Sequence, residues 1–222
     1  MIYREIAGDS INVSRLIDFD RITNGNATQT IINDLNAITG LNLSVNQATG
    51  LIEYQKDADG NAFIRETNDT QEGSSTARTD LINIINGPKI NISGGRRSIS
   101  AGNEIVISPQ QIDSFINGTP SQLDQRTMGY GITVMHEFRH TTAGGGAHDP
   151  PLGSTGTGPV VDRVNIYRRE LDNNLTTISR GQFGQRTKYH ANPRNNSSSI
   201  DFQYQMVDRK GRTVNRNTKI TF

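Results

Sequence analysis

Apolar residues recur along this chain in two rhythms. Between Thr28 and Ile38 they fall at Ile31, Ile32, Leu35 and Ile38, the spacing of one helix face, and Gly40 supplies the stop. Ser75 to Ile85 repeats that rhythm at Ala77, Leu81, Ile82 and Ile85, and Asn86-Gly87-Pro88 breaks it. Val160 to Asp172 predicts a third amphipathic helix, with Val160, Val161, Val164, Tyr167 and Leu171 in one stripe. The second rhythm is alternation. Leu41, Leu43 and Val45 alternate, a turn runs through Asn46 to Gly50, and Leu51 to Tyr54 return as a hairpin. Lys89 to Ser93 and Glu104 to Ser108 read as two strands joined by the glycine-rich GGRRSISAGN. Phe202, Tyr204 and Met206 alternate in a last hairpin that turns at Lys210-Gly211. Residues 1–20 predict a short strand, and Asp69 to Ser75 and Pro109 to Gly131 read as polar connections.

Helices and strands are interspersed over 222 residues, which predicts an α+β fold in a single domain, with 1–28 and 193–222 as peripheral extensions. The hydrophobic fraction is 32% and tryptophan is absent, so the core is modest and the loops are many. A net charge of +1 argues against nucleic acid or a membrane surface as partner. No apolar run is long enough for a membrane-inserted helix. Met1 to Ser10 has no charged and apolar signal pattern, so any export is expected by a non-Sec route. There is no cysteine, hence no disulfide, and any metal must be held by His and carboxylates. Asp57 to Phe63 (DADGNAF) looks like a calcium loop only on the surface. It lacks the bidentate Glu and the flanking helices, and reads as a turn with Asp59-Gly60 at its tip. Arg96 and Arg97 read as a solvated loop.

The chemistry gathers at Val134 to His140, VMHEFRH. His136 and His140 are four apart, so on a helix they lie one turn apart on the same face. Two imidazoles so placed can share one Zn2+. Glu137 then stands beside the metal and serves as the base that takes a proton from the attacking water, the logic of HExxH. The preceding RTMGYGITVM is largely apolar and neutral, as a buried metal helix requires, and the glycines Gly144 to Gly146 end the helix. Catalytic zinc takes three protein ligands and keeps one open position. Asp149, His148 and Asp162 are the candidates for the third, with Glu170 behind them. Asp149 is supported because a carboxylate is a normal third ligand. The long loop from Thr141 to Val161 is expected to be functional. Arg186 and Tyr189, spaced R-x-x-Y, are candidates to donate hydrogen bonds to an oxyanion. His190 reads as structural rather than a ligand.

These motifs carry a resemblance. HEFRH followed by glycines and His148-Asp149 resembles the metzincin arrangement, with the glycines and the His displaced by one and two residues. Asp162 stands close to where the thermolysin-like enzymes place their acidic ligand. The R-x-x-Y pair is similar to that of the clostridial neurotoxin light chains. The order of a hairpin after ITGL, an AR..L helix, an I.I strand pair, GxGITxMHExRH, a glycine-rich loop, a VNxxRxEL helix and a GQRTxY segment spans residues 29–192. It resembles the HExxH peptidases of bacterial toxins, namely type III effector zinc peptidases and the C-terminal peptidase domains of Rhs toxins. The effector family usually carries acidic residues just before the Asn of the segment matching Asn165 to Leu171. Here Arg163 and Val164 stand there, with Asp162 one step earlier.

The expectation is therefore a zincin-like α+β domain with a twisted mixed sheet and an HExxH helix. Its resemblance implies a zinc endopeptidase that cleaves a target-cell protein and is secreted or carried by an injection apparatus. Glu104 to Ser108 is expected to be the edge on which an extended substrate lies. The reading from another class is a structural or cargo component of a phage-like contractile particle with a vestigial zinc site. A peptidoglycan amidase is a third.

Overall fold

The computed structural model describes residues 10–150, 156–174, 181–188 and 199–221. The chain enters through β1 (Ile11–Asn12) and turns at once into α1 (Ser14–Thr23) and α2 (Ala27–Thr39). The alternation over residues 1–20 concealed α1, because Leu16 is its one fully buried side chain. Asp20 joins the two helices. Its carboxylate accepts the backbone N–H groups of Ala27 and Thr28 at 3.0 and 2.8 Å, at the start of α2 where such donors lack helical partners. The hairpin β2 (Leu43–Val45) and β3 (Ile52–Tyr54) follows in the register Leu43 to Tyr54. The polar connection after it contains a two-residue ladder, β4 (Glu66–Thr67) with β5 (Thr70–Gln71). Ser74 then caps α3 (Ser75–Ile85), its hydroxyl accepting the Ala77 N–H at 2.9 Å.

The main sheet departs from the expected strand pair. β6 (Ile90–Gly94) and β8 (Glu104–Ile107) run parallel, Ile92 opposite Ile105, so they are not a hairpin. The segment between them crosses over and supplies β7 (Ile99–Ala101), antiparallel to β8. With β1 parallel to β6, the order is β1-β6-β8-β7, a mixed sheet. β8 is therefore an inner strand, and the edge assigned to Glu104 to Ser108 belongs to β7. Periodicity could not show this. Ile99 is 58% exposed, so β7 has no apolar signature. Arg96 and Arg97 are exposed on the crossover.

The connection before the HEFRH helix is more ordered than its polarity suggests. It holds α4 (Pro109–Asn117), capped by Ser108 and burying Ile112 and Phe115, and a 3-10 turn over Gln125–Met128. α5 (Tyr130–His140) is almost wholly buried. It has no side-chain cap from Gly129, and Asp34 of α2 accepts the Gly131 N–H at 3.2 Å in its place. α6 (Gly158–Asn174) crosses α3 and α5. β9 (Gln185–Arg186) pairs with β10 (Ser199–Val207), which pairs with β11 (Thr213–Thr221).

One apolar core runs from Ile11 to Phe183 through helices α1 to α6 and the main sheet. A smaller cluster joins Phe115, Leu123 and Met128 to Ile200, Phe202 and Ile220 of the last hairpin. The hairpin thus packs against α4 and the 3-10 turn rather than standing apart. The whole is an α+β protein, and no helix among the described residues is long and apolar enough to cross a membrane.

Candidate metal centre

α5 presents His136 and His140 on one face, as the four-residue spacing requires. Their Nε2 atoms stand 3.4 Å apart, with the rings at 74°. Two ligand atoms bound tetrahedrally to one zinc at ~2.0–2.1 Å are separated by roughly 3.3 Å. The spacing therefore suits a shared ion.

The third group arrives by a reversal after the helix. Thr141 leaves helical geometry and its hydroxyl accepts the Gly144 N–H at 3.1 Å. A Cβ on Gly144 would lie 1.8 Å from the Phe138 carbonyl oxygen, so this close turn admits only glycine. Gly146, at φ 61°, sends the chain back along α5. Ala147 then donates its N–H to the Arg139 carbonyl at 3.0 Å, and its own carbonyl meets His140 Nδ1 at 2.8 Å. That contact makes Nδ1 the N–H donor and leaves the Nε2 lone pair for a metal. Two residues on, Asp149 Oδ1 lies 3.4 Å from His140 Nε2. The ligand atoms of His136, His140 and Asp149 all fall within 4.8 Å of one another.

Electrostatics favour the same use. Burial, then Arg186, His140 and Arg168, hold the His136 pKa well below its ordinary value, so the ring is neutral and can ligate. Two imidazoles and one carboxylate are a donor set that a catalytic zinc ion accepts. The residues fit the ion.

Glu137 is buried beside them. Burial raises its pKa, while His140 and a hydrogen bond from Ser100 of β7 pull it down. The cavity in front has a volume of about 290 Å3, and its polar lining includes His136, Glu137, Ser98, Gln111, Arg168 and Arg186. Arg186 is set there by Asn165 of α6. The Asn165 amide donates to the Arg186 carbonyl and accepts its N–H, both at 2.9 Å, clamping β9 to the helix.

The other sequence candidates lie elsewhere. His148 is exposed and outside the group of three. Asp162 is exposed at the start of α6 and accepts a hydrogen bond from Thr157. Glu170 caps α3, accepting from Ser74 Oγ at 2.6 Å and from the Thr76 N–H at 2.9 Å. Tyr189 and His190 lie outside the described residues. The sequence candidates do not include Arg168, although the chain carries a signal for it. It continues the stripe Val161, Val164, Leu171 at a core position, where a cation is out of place. Compared with models of known protein families, with curated proteins and with solved structures, the chain gives no match.

Proposed function

We propose that this chain is a zinc-dependent endopeptidase of the zincin-like kind, with His136, His140 and Asp149 as ligands and a protein or peptide as substrate. The observation that carries the reading is the convergence of two imidazole nitrogens and a carboxylate oxygen beside a buried glutamate at a cavity. An HExxH helix set beside a mixed sheet, whose antiparallel edge strand reaches the glutamate, is what the zincin-like reading asks for.

When bound, zinc would polarise the scissile carbonyl and acidify the attacking water. Glu137 takes the proton from that water and delivers it to the leaving amine. Its raised pKa, caused by burial, suits a group that must hold the proton between the two steps. Arg186, lining the same cavity, donates to the developing oxyanion. β7 is the outer strand of the main sheet, and an extended substrate can add to it. This would lay the substrate past Ser100 and toward Glu137.

Metal analysis tests the centre. About one zinc per chain is expected, lost in His140→Ala and weakened in Asp149→Ala. Glu137→Gln should keep the zinc and lose hydrolysis by roughly 10²–10⁴-fold. An active Glu137→Gln protein would sink the mechanism. Zinc binding with no cleavage of any protein mixture would turn the reading to the structural, cargo-type protein.

A further inference from the structure

Arg168 is buried to 2% exposure, and no carboxylate pairs with it among the described residues. A guanidinium offers five N–H groups. Nε and Nη2 donate to the Thr127 carbonyl at 3.1 and 2.9 Å. Nη2 also meets Met128 Sδ at 3.4 Å, and Nη1 donates to Asn165 Oδ1 at 3.0 Å. One N–H on Nη1 has no acceptor among the described residues. Every acceptor is neutral, and the Phe202 ring, 5.3 Å from the guanidinium carbon, adds only its face. Burial, then Arg186, lower the Arg168 pKa to about 9, which still leaves it charged at neutral pH.

An unanswered buried charge is strongly unfavourable and persists where something outside the protein answers it. Arg186 lines the same cavity, so two guanidiniums face it against the single carboxylate of Glu137. Apolar Phe115, Ile132, Val161 and Val164 share the wall with Ser98, Gln111 and Thr133, so an anion there would meet hydroxyl and amide donors as well as the guanidiniums. The volume, about 290 Å3, lies at the small end of ligand sites and suits a small part of a substrate.

We propose that this cavity is a subsite for a carboxylate of the substrate, with Arg168 as its specificity-determining residue. The proposal rests on the peptidase reading and deepens it. The carboxylate is either the side chain of an Asp or Glu next to the scissile bond or the terminal carboxylate of a peptide. The first makes the enzyme selective for acidic sites within a chain, and the second confines cutting to chain ends.

Nuclear magnetic resonance titration of the full chain, with and without added zinc, separates these sources. The probes are N-acetyl-glutamate α-amide, carrying only the side-chain acid; N-acetyl-alanine, carrying only the terminal acid; and N-acetyl-glutamine α-amide, carrying neither. One of the two acids is expected to bind roughly tenfold more tightly than the neutral probe. In Arg168→Met that preference should disappear, with circular dichroism reporting the fold. Equal binding of acid and amide by the unaltered protein would overturn the proposal without any variant. So would an acid preference that survives in Arg168→Met. Cleavage of a peptide library by the zinc-loaded protein gives the second readout. Cuts enriched next to Asp or Glu, or one residue from chain ends, support the subsite. Cuts with neither preference overturn it and leave the peptidase standing. Selective acid binding with no cuts at all supports the anion pocket and removes the peptidase reading.

Discussion

Helix α6 faces α3 on one side and the cavity on the other, and the two sides treat buried charge differently. Toward α3, Arg163 grips Asp80 with Nε and Nη2, both at 2.8 Å, and the Tyr167 hydroxyl donates to the same carboxylate. Burial would raise the Asp80 pKa, but the Arg163 and Tyr167 hydrogen bonds outweigh it and hold the acid below its ordinary value. A turn further on, Glu170 answers the first donors of α3. Toward the cavity, Arg168 finds only neutral acceptors. Burial lowers the pKa of Arg168 and raises that of Glu137, which lines the same cavity. Paired charge on one side fixes helix against helix, whereas unpaired charge on the other is kept where a ligand can meet it. A buried ion needs a partner of opposite sign, and the side of α6 on which Arg168 finds no such partner among the described residues is the side with the candidate metal centre.

Removing the paired acid should have the largest effect. Asp80→Ala strands Arg163 and the Tyr167 hydroxyl, and is expected to destabilise the fold by about 3 kcal/mol in urea unfolding. That is the low end for a broken buried pair, because Arg163 is partly solvated. A loss near zero would show that the α3 side needs no charge at all. Arg168→Met should do less to the fold. It forfeits hydrogen bonds to Thr127 and Asn165 but also removes a lone buried cation, so a change within about 2 kcal/mol is expected on the same urea curve. A loss exceeding that of Asp80→Ala would make Arg168 a structural residue and erase the contrast.

A pH-dependent effect concerns Asp172, near the C-terminal end of α6. Burial raises its pKa to about 7, against the Phe183 N–H that lowers it and with Asp124 adding to the rise. Below its ordinary value of 3.8 the acid is protonated in both states. From there to about pH 7 the folded chain holds the extra proton, so this residue makes stability fall as pH rises. The slope is at most about 1.4 kcal/mol per pH unit. Asp172→Asn keeps the acceptor for Phe183 and should remove that slope in thermal melts taken from pH 4 to 7. An unchanged profile would place the effect on another group.

Local patterns were legible where a single element carried its own signal. The helices Ala27–Thr39 and Ser75–Ile85, the hairpin pairing Leu43 with Tyr54, and the long hairpin turning at Lys210-Gly211 follow from three-and-four or two-residue spacing. α1 and α4 were not legible, since each buries only one or two fully covered apolar side chains. β7 was hidden for the same reason.

The sequence alone determined that His136, Glu137 and His140 share one helical turn, because the periodicity of a helix fixes the faces of residues one and four apart. It equally determined that any metal must be held without thiolate, there being no cysteine. Tertiary structure decided which acid joins the two histidines. Asp149, Asp162 and Glu170 are all carboxylates at plausible distances along the chain, and glycines such as Gly144 and Gly146 leave the path of the intervening loop open. The path was chosen by the hydrogen bonds that fold the loop back along α5, through Thr141 and Ala147. Arg168 depended in the same way on contacts remote in sequence. Its helix put it at a core position, but only the packing of α6 against Thr127 and Phe202 showed that no acid among the described residues meets it there.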